Sequence, residues 1–140
     1  MKRIRDLLLP LLCLFFLAGT AHARSPIPIV NLENQPLAAA SGKPLTLDDV
    51  ATALRRAAPQ RGWTITEIAP GKAVATLEVR GKHTIKVEIG YSEKAISFIY
   101  KDSVNMKYGK DDEGRPVIHP FYIKWVQNLL SDVRAEAGRF

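Results

Sequence analysis

The sequence has very little cysteine: one residue in 140, Cys13, which lies in an apolar run near the amino terminus. A single thiol excludes an intrachain disulfide framework and any metal site built from several cysteines. A small domain without such cross-links depends on its hydrophobic core, and Trp63, Trp125 and many branched aliphatic residues supply the material for one. We therefore expect a domain held together by packing alone.

The sequence also has only one long apolar run, over residues 7–17, whereas about 20 apolar residues are needed to cross a bilayer. Three basic residues precede the run and Ala-His-Ala follows it at 21–23, an order typical of a cleavable signal peptide. Residues 1–23 are therefore predicted to direct export, with cleavage near Ala23. We expect a periplasmic or secreted protein that does not span the membrane.

A lipid anchor is not predicted from the signal region. The segment Leu17-Ala18-Gly19 has the shape of a lipidation signal, but Thr20 follows it where a cysteine is required. Cys13 follows two leucines and lacks the small residue that normally precedes a lipidated cysteine. A divergent lipidation signal or a different start of translation is the alternative that the sequence leaves open.

The charge surplus is small. Removal of residues 1–23 takes away three basic residues and one acid, so the formal net charge falls from +6 to +4. No long basic block is present, which argues against nucleic acid as a partner. The surplus favours an anionic lipid or glycan surface only weakly, and an envelope protein is the other class of partner that we consider.

Motifs that specify a reaction, a metal or a cofactor are missing. Loss of His22 leaves His83 and His119 on different predicted elements, with no His-x-x-x-His pair and no cysteine. The acidic segment 109–114 lacks the alternating oxygen ligands of a calcium loop, and the isolated turn glycines do not form a phosphate-binding loop. We predict no catalytic residue, no metal site and no cofactor, and we expect a protein that is not an enzyme.

Residues 24–44 differ in composition from the rest of the chain. They contain four prolines and show little periodicity, which predicts an extended, flexible arm before a single domain over residues 45–140. The apolar residues of the arm allow two further interpretations, an edge strand or a segment that docks on a partner. A disordered tether is the third.

The pattern after residue 44 predicts an α+β domain. Thr46 and Asp49 fit a capping box before an apolar stripe of helical spacing, which Pro59 and Gly62 end. Alternating patterns then predict four strands over 63–69, 73–80, 83–89 and 94–100. A second helix is predicted from Pro120. The order favours a four-stranded antiparallel meander with both helices packed on one face.

A polar and aromatic cluster lies between the fourth predicted strand and the last helix. Short polar side chains such as those at 102, 103 and 105 bond their own backbone and commonly end strands, so a structural junction is one interpretation. A binding surface over the loop Asp102 to Arg115 is the other. The cluster comprises Asp102, Ser103, Asn105, Tyr108, His119, Tyr122 and Trp125.

Residues 62–130 resemble a family of small uncharacterised bacterial exported proteins, many of them lipoproteins. The resemblance rests on Gly62-Trp63, on Tyr-x-Asp-Ser-x-Asn-Met-x-Tyr from Tyr100 to Tyr108, and on Ile-His-x-x-Tyr-x-x-Trp from Ile118 to Trp125. It implies an envelope protein without an established activity and assigns no catalytic role to any residue. The lipidation cysteine of the family's lipoproteins is missing here.

Three functions are compared on these grounds. The leading hypothesis is a binding or accessory module of the cell envelope that acts through the cluster. A structural or inhibitory protein that presents its sheet edge or its arm is the second. A small serine hydrolase using Ser103 and His119 is the third, and it lacks the strained turn that a nucleophilic serine typically occupies.

Overall fold

The computed structural model describes residues 24–140, so the predicted signal peptide lies outside the described residues. Helix α1 covers Leu47–Ala57 and continues into a 3₁₀ turn over Ala58–Arg61. The predicted capping box is confirmed: the Thr46 hydroxyl accepts from the Asp49 N–H at 3.1 Å, and the Thr46 N–H donates to the Asp49 carboxylate at 2.8 Å. Gly62 ends the turn with a φ of 84°, as glycine can without strain.

Thr46→Ala is expected to lower the free energy of unfolding by about 1 kcal/mol, because α1 loses the oxygen that caps it. For a domain of this size that is a fall in melting temperature of roughly 4 °C. Thermal unfolding followed by circular dichroism measures the change. Thr46→Ser keeps the accepting oxygen and is expected to unfold like the wild type, so equal losses in the two variants would contradict the cap.

The main sheet has five strands. The predicted meander is present as strands β3 (Trp63–Ala69), β4 (Lys72–Val79), β5 (His83–Tyr91) and β6 (Ala95–Val104), each antiparallel to the next. Strand β2 (Leu32–Pro36) adds to the free edge of β6, giving the order β2-β6-β5-β4-β3. The predicted four-stranded sheet therefore has five strands, because the arm supplies an edge strand.

A second, three-stranded sheet was also not predicted. It consists of β1 (Ile27–Pro28), β8 (Pro116–Ile118) and β7 (Gly109–Lys110), in that order and antiparallel. Strands of two or three residues are too short to show an alternating pattern, so the sequence carries no signal for them. With β1 in this sheet and β2 in the other, residues 27–28 and 32–36 of the predicted arm are extended and paired within the fold.

Strand β6 continues past Tyr100, where the sequence predicts its end and a turn at Asp102 and Ser103. The β5–β6 register shifts between Lys86 and Val87, so β6 accommodates an extra residue after Tyr100. This bulge brings the hydroxyls of Tyr100 and Ser103 within 2.8 Å of each other. Pairing with β5 thus overrides the turn preference of the polar residues.

The core lies between one face of the main sheet and helices α1 and α2 (Phe121–Ala137). Buried strand residues alternate with exposed or half-buried ones, so both helices cover the same face. The α+β class and the antiparallel sheet are confirmed. Residues buried in this core include Val50, Leu54, Ala73, Ala75, Leu77, Ile85, Val87, Ile89, Phe98, Val126, Leu129 and Val133.

Within residues 24–140, no helix combines the length and the apolar character that crossing a bilayer requires.

Candidate functional site

A cleft of about 400 Å³ opens where the β4–β5 turn, the loop after β6 and the start of α2 meet. Three of the seven residues predicted as a cluster line it: Asn105, His119 and Trp125. A cleft of this volume accommodates a small molecule. The lining has apolar, cationic and imidazole side chains and no carboxylate: Val79, Arg80, His83, Asn105, Met106, Lys107, His119, Phe121 and Trp125.

The loop 105–107 forms one wall of the cleft. Three contacts hold it in place: the packing of one side chain in the core and two hydrogen bonds to its carbonyl groups. The Met106 side chain is 3% exposed and belongs to the core. The Met106 carbonyl accepts from the His119 N–H at 2.8 Å. The Asn105 carbonyl accepts from Nδ1 of His83 at 2.7 Å. These contacts join the loop to β5 and to the start of α2, and so they hold this wall of the cleft in place.

The other four predicted residues do not line the cleft and have structural contacts instead. Tyr108 stacks on Tyr100 with ring centres 5.2 Å apart, and Tyr122 meets the same ring edge-on at 5.6 Å. The Ser103 hydroxyl bonds that of Tyr100, and the exposed Asp102 carboxylate accepts from the Ser103 N–H at 2.8 Å. These contacts hold the end of β6 against α2.

The backbone of the cleft is strained. Four residues other than glycine have positive φ in the described chain, and Arg80, Asn105 and Lys107, with φ of 54° to 55°, all line the cleft. A side chain in this region costs about 1–2 kcal/mol, because Cβ approaches the following carbonyl oxygen. Asparagine tolerates the conformation better than arginine or lysine. Arg80 and Lys107 therefore occupy positions where glycine would be less strained.

The cations of the cleft lack carboxylate partners. Among residues 24–140, neither Arg80 nor Lys107 has a carboxylate within salt-bridge distance. A third cation lies beside them: the Arg24 guanidinium is 4.9 Å from the centre of the Phe121 ring. The Arg24 carbonyl accepts from Nζ of Lys107 at 3.4 Å. The result is a concentration of positive charge at the mouth of an apolar cleft.

The two histidines of the cleft have opposite tautomers when neutral. Nδ1 of His119 accepts from the Phe121 N–H at 3.1 Å, so the proton of the neutral ring is on Nε2. Nδ1 of His83 donates to the Asn105 carbonyl, so Nε2 of His83 is an acceptor. The cleft therefore offers one imidazole donor and one imidazole acceptor. His119 also caps the start of α2, where Pro120 supplies no side-chain cap.

Stability is expected to fall as the pH drops through the titration of His119. Burial first, and then the positive charges of Lys107, Arg24 and His83, lower the pKa of His119 from its ordinary 6.5. The unfolded chain therefore binds the proton more readily than the folded chain. The stabilisation present above the unfolded pKa is lost as the pH falls through the lower folded pKa.

Melting temperatures measured across this pH range test the effect. H119N retains an oxygen that can accept from the Phe121 N–H, and it is expected to lose this component of the pH dependence. H83N is the matched variant: it removes the other cleft histidine, whose charge is the smallest of the four causes, so it should keep most of the component. An unchanged pH dependence in H119N would contradict the assignment.

The geometry does not support a serine–histidine pair. The Ser103 hydroxyl is bonded to Tyr100, and Nδ1 of His119 accepts from the backbone of α2. Only His119 of the two residues lines the cleft. In the part of the chain that the structure describes, no group of three or more His, Cys, Asp or Glu side chains is arranged to hold a metal.

Sequence reasoning missed most of the cleft. Arg80 lies in the β4–β5 turn and His83 is the first residue of β5, both far along the chain from the predicted cluster. Lys107 and Phe121 lie within the motif regions without being selected. One signal was available at the turn: the three-residue β4–β5 connection has positive φ at Arg80 and Gly81, and positive φ favours Asn or Gly over a long cationic side chain. An unfavoured cation in such a turn indicates a role other than turn formation.

Comparisons with models of protein families, with curated proteins and with solved structures find no match. The resemblance to exported bacterial proteins therefore stays a prediction.

Proposed function

We propose that the protein is an exported, non-enzymatic binding module of the cell envelope, and that the cleft binds an anionic ligand. The observation that carries the proposal is the strained placement of Arg80 and Lys107, two cations without carboxylate partners among the described residues. Strain of this kind persists at functional sites, where the surrounding fold stabilises it. Here the buried Met106 supplies that support.

Negative charge on the ligand follows from the lining. Every charged lining residue is positive, and like charges in a partly enclosed cleft repel each other. A bound anion removes this repulsion and accepts hydrogen bonds from the cations, each worth about 1.5–3 kcal/mol. The Asn105 amide and Nε2–H of His119 are further donors in the same lining. An acidic metabolite and the headgroup of an envelope lipid or glycan share this chemistry.

Export is the second part of the proposal, and it is supported by the predicted signal peptide over residues 1–23. The predicted cleavage after Ala23 would make Arg24 the first residue of the mature chain. Because Arg24 lies against Phe121 and Lys107, cleavage would add an α-ammonium group to the positive side of the cleft. The predicted cleavage would therefore add positive charge beside the cleft that we propose binds an anion.

Thermal-shift titrations with oxyanions test the proposal. Sulfate, phosphate and acetate are each compared with chloride at equal ionic strength, since a ligand that binds only the folded state raises the melting temperature. R80Q/K107Q removes the two cations and is expected to abolish the extra stabilisation by oxyanions. K43Q/K72Q removes the same charge from exposed positions outside the cleft and should retain it. Equal responses of the two double variants would contradict the proposal.

One observation favours the sheet-edge alternative. Strand β3 ends the main sheet with one edge unpaired within the described chain, and its Ile68 is 58% exposed. The arm is a weaker candidate, because β1 and β2 are paired within the fold. A proline in β3, such as Ile68→Pro, interferes with an added strand without touching the cleft. Loss of an envelope partner in I68P but not in R80Q/K107Q would favour the edge.

A further inference from the structure

The anion site has an aromatic wall. The rings of His119 and Phe121 have centres 4.8 Å apart, and those of Phe121 and Trp125 have centres 5.8 Å apart. All three residues line the cleft, so the rings form a row along one side of it. We infer that the ligand is an aromatic acid, whose flat ring packs on Phe121 and Trp125 while its anionic group meets Arg80 and Lys107. This inference rests on the proposed function.

The position of Phe121 is not explained by packing in the core. Phe121 is 39% exposed and is absent from the buried cluster and from the side chains packed against it. Trp125, four residues later on the same face of α2, does pack against the core with part of its surface. An exposed phenylalanine held beside a half-buried tryptophan is suited to the stacked and tilted contacts that aromatic ligands make.

Cationic side chains lie near the aromatic wall and also in the other segments that line the cleft. The Arg24 guanidinium and the Lys124 ammonium lie 4.9 Å and 5.7 Å from the centre of the Phe121 ring, within the range of cation–π contacts. Arg80 and Lys107 lie in the other segments of the lining, next to the apolar side chains of Val79 and Met106. A ligand that combines one anionic group with a flat apolar body satisfies both kinds of contact.

A neighbouring groove indicates the orientation of the ligand. The groove shares Val79, Arg80 and Trp125 with the cleft, and beyond them it is lined by Arg61, Trp63, Leu77, Glu78 and Asn128. The Arg61 guanidinium is paired with the Asp132 carboxylate at 2.6 Å, whereas Glu78 has no ion-pair partner among the described residues. A carboxylate there repels an anion, so the anionic group is expected on the Lys107 side. The ring then lies toward Trp125, whose fluorescence should report binding. The volume of about 400 Å³ is near the lower end for small-molecule sites, which favours one or two rings.

Three probes separate the contributions of charge and ring: naphthalene-1-sulfonate, methanesulfonate and the uncharged naphthalene-1-sulfonamide. Isothermal titration calorimetry of residues 24–140 is expected to show naphthalene-1-sulfonate binding at least about tenfold more tightly than either of the others. F121A is expected to weaken it about two- to tenfold, the range for loss of one aromatic contact. I68A truncates another exposed apolar side chain, outside the cleft, and should bind like the wild type.

The outcomes distinguish this inference from the proposed function. If methanesulfonate binds as tightly as naphthalene-1-sulfonate and R80Q/K107Q weakens both, the anion site stands and the aromatic acid is wrong. Unchanged affinity of F121A for naphthalene-1-sulfonate also overturns the aromatic acid. If naphthalene-1-sulfonate binds the wild type and R80Q/K107Q equally well, or if neither it nor methanesulfonate binds the wild type, the anion site itself is wrong and the inference falls with it.

Discussion

Replacing both strained cations with glycine, in R80G/K107G, is expected to stabilise the protein and to weaken naphthalene-1-sulfonate binding by at least about tenfold. Each glycine relieves strain of about 1–2 kcal/mol and adds about 0.5–1 kcal/mol of backbone entropy cost. The net gain is about 0–3 kcal/mol for the pair, and its midpoint of about 1.5 kcal/mol corresponds to a rise in melting temperature of roughly 6 °C. Stability and binding change in opposite directions, as expected where a site is maintained at the expense of stability.

Asn34 offers the matched control for this prediction. It is the fourth residue other than glycine with positive φ in the described chain, at 50°, and it does not line the cleft. N34G is expected to leave probe affinity unchanged. If R80G/K107G loses stability, or gains stability while binding naphthalene-1-sulfonate like the wild type, then strain at these positions serves no binding role.

Met106→Ala is expected to be among the most damaging single changes near the cleft. It removes a buried side chain from the core, at a cost of about 2–5 kcal/mol, which corresponds to a fall in melting temperature of roughly 10 °C or more. The same side chain anchors a loop whose two flanking residues have positive φ. Probe affinity is therefore expected to fall too, even at temperatures well below the transition.

Met106→Leu tests whether the volume of the Met106 side chain, and not its thioether, holds the loop in place. A leucine of similar volume usually costs less than about 1.5 kcal/mol in a core, so this variant should keep the loop in place and bind naphthalene-1-sulfonate like the wild type. Unfolding curves and calorimetric titrations of both variants give the comparison. Wild-type affinity in folded M106A would show that Met106 does not position the cleft.

The parts of the fold with long, regular signals were predictable. The capping box at Thr46 and Asp49, the period-two strands after Gly62 and the apolar stripe of α2 each repeat a local preference that packing reinforces. These elements give the α+β class and the meander. Each signal is local in the chain, which is why a single sequence contains it.

The remaining parts depend on pairing between distant segments. Strand β2 exists because the arm meets β6, and β1 exists because the arm meets β8, although residues 27 and 118 are far apart in the chain. The bulge after Tyr100 likewise comes from pairing with β5. Proline-rich composition and short polar side chains favoured an unpaired arm and a turn, and tertiary pairing overrode both preferences.

The predicted cluster divides into two groups in space. Ser103, Tyr108 and Tyr122 contact Tyr100, and Asp102 accepts from the Ser103 N–H. The other three residues line the cleft. The cleft needs Arg80 and His83 as well, and their contribution follows from the β4–β5 hairpin bringing them to the loop 105–107. The order of these segments along the chain does not indicate that the β4–β5 hairpin contacts the loop 105–107.

The measurement that most directly tests the cleft as an anion site is an NMR titration of ¹⁵N-labelled residues 24–140 with naphthalene-1-sulfonate. We predict that the largest amide shift changes fall on residues 79–83, 105–107 and 119–125, the three segments that line the cleft. The same titration of R80Q/K107Q should show much smaller changes at these positions. Shift changes concentrated on β3, on the outer face of the main sheet, or nowhere would contradict the account.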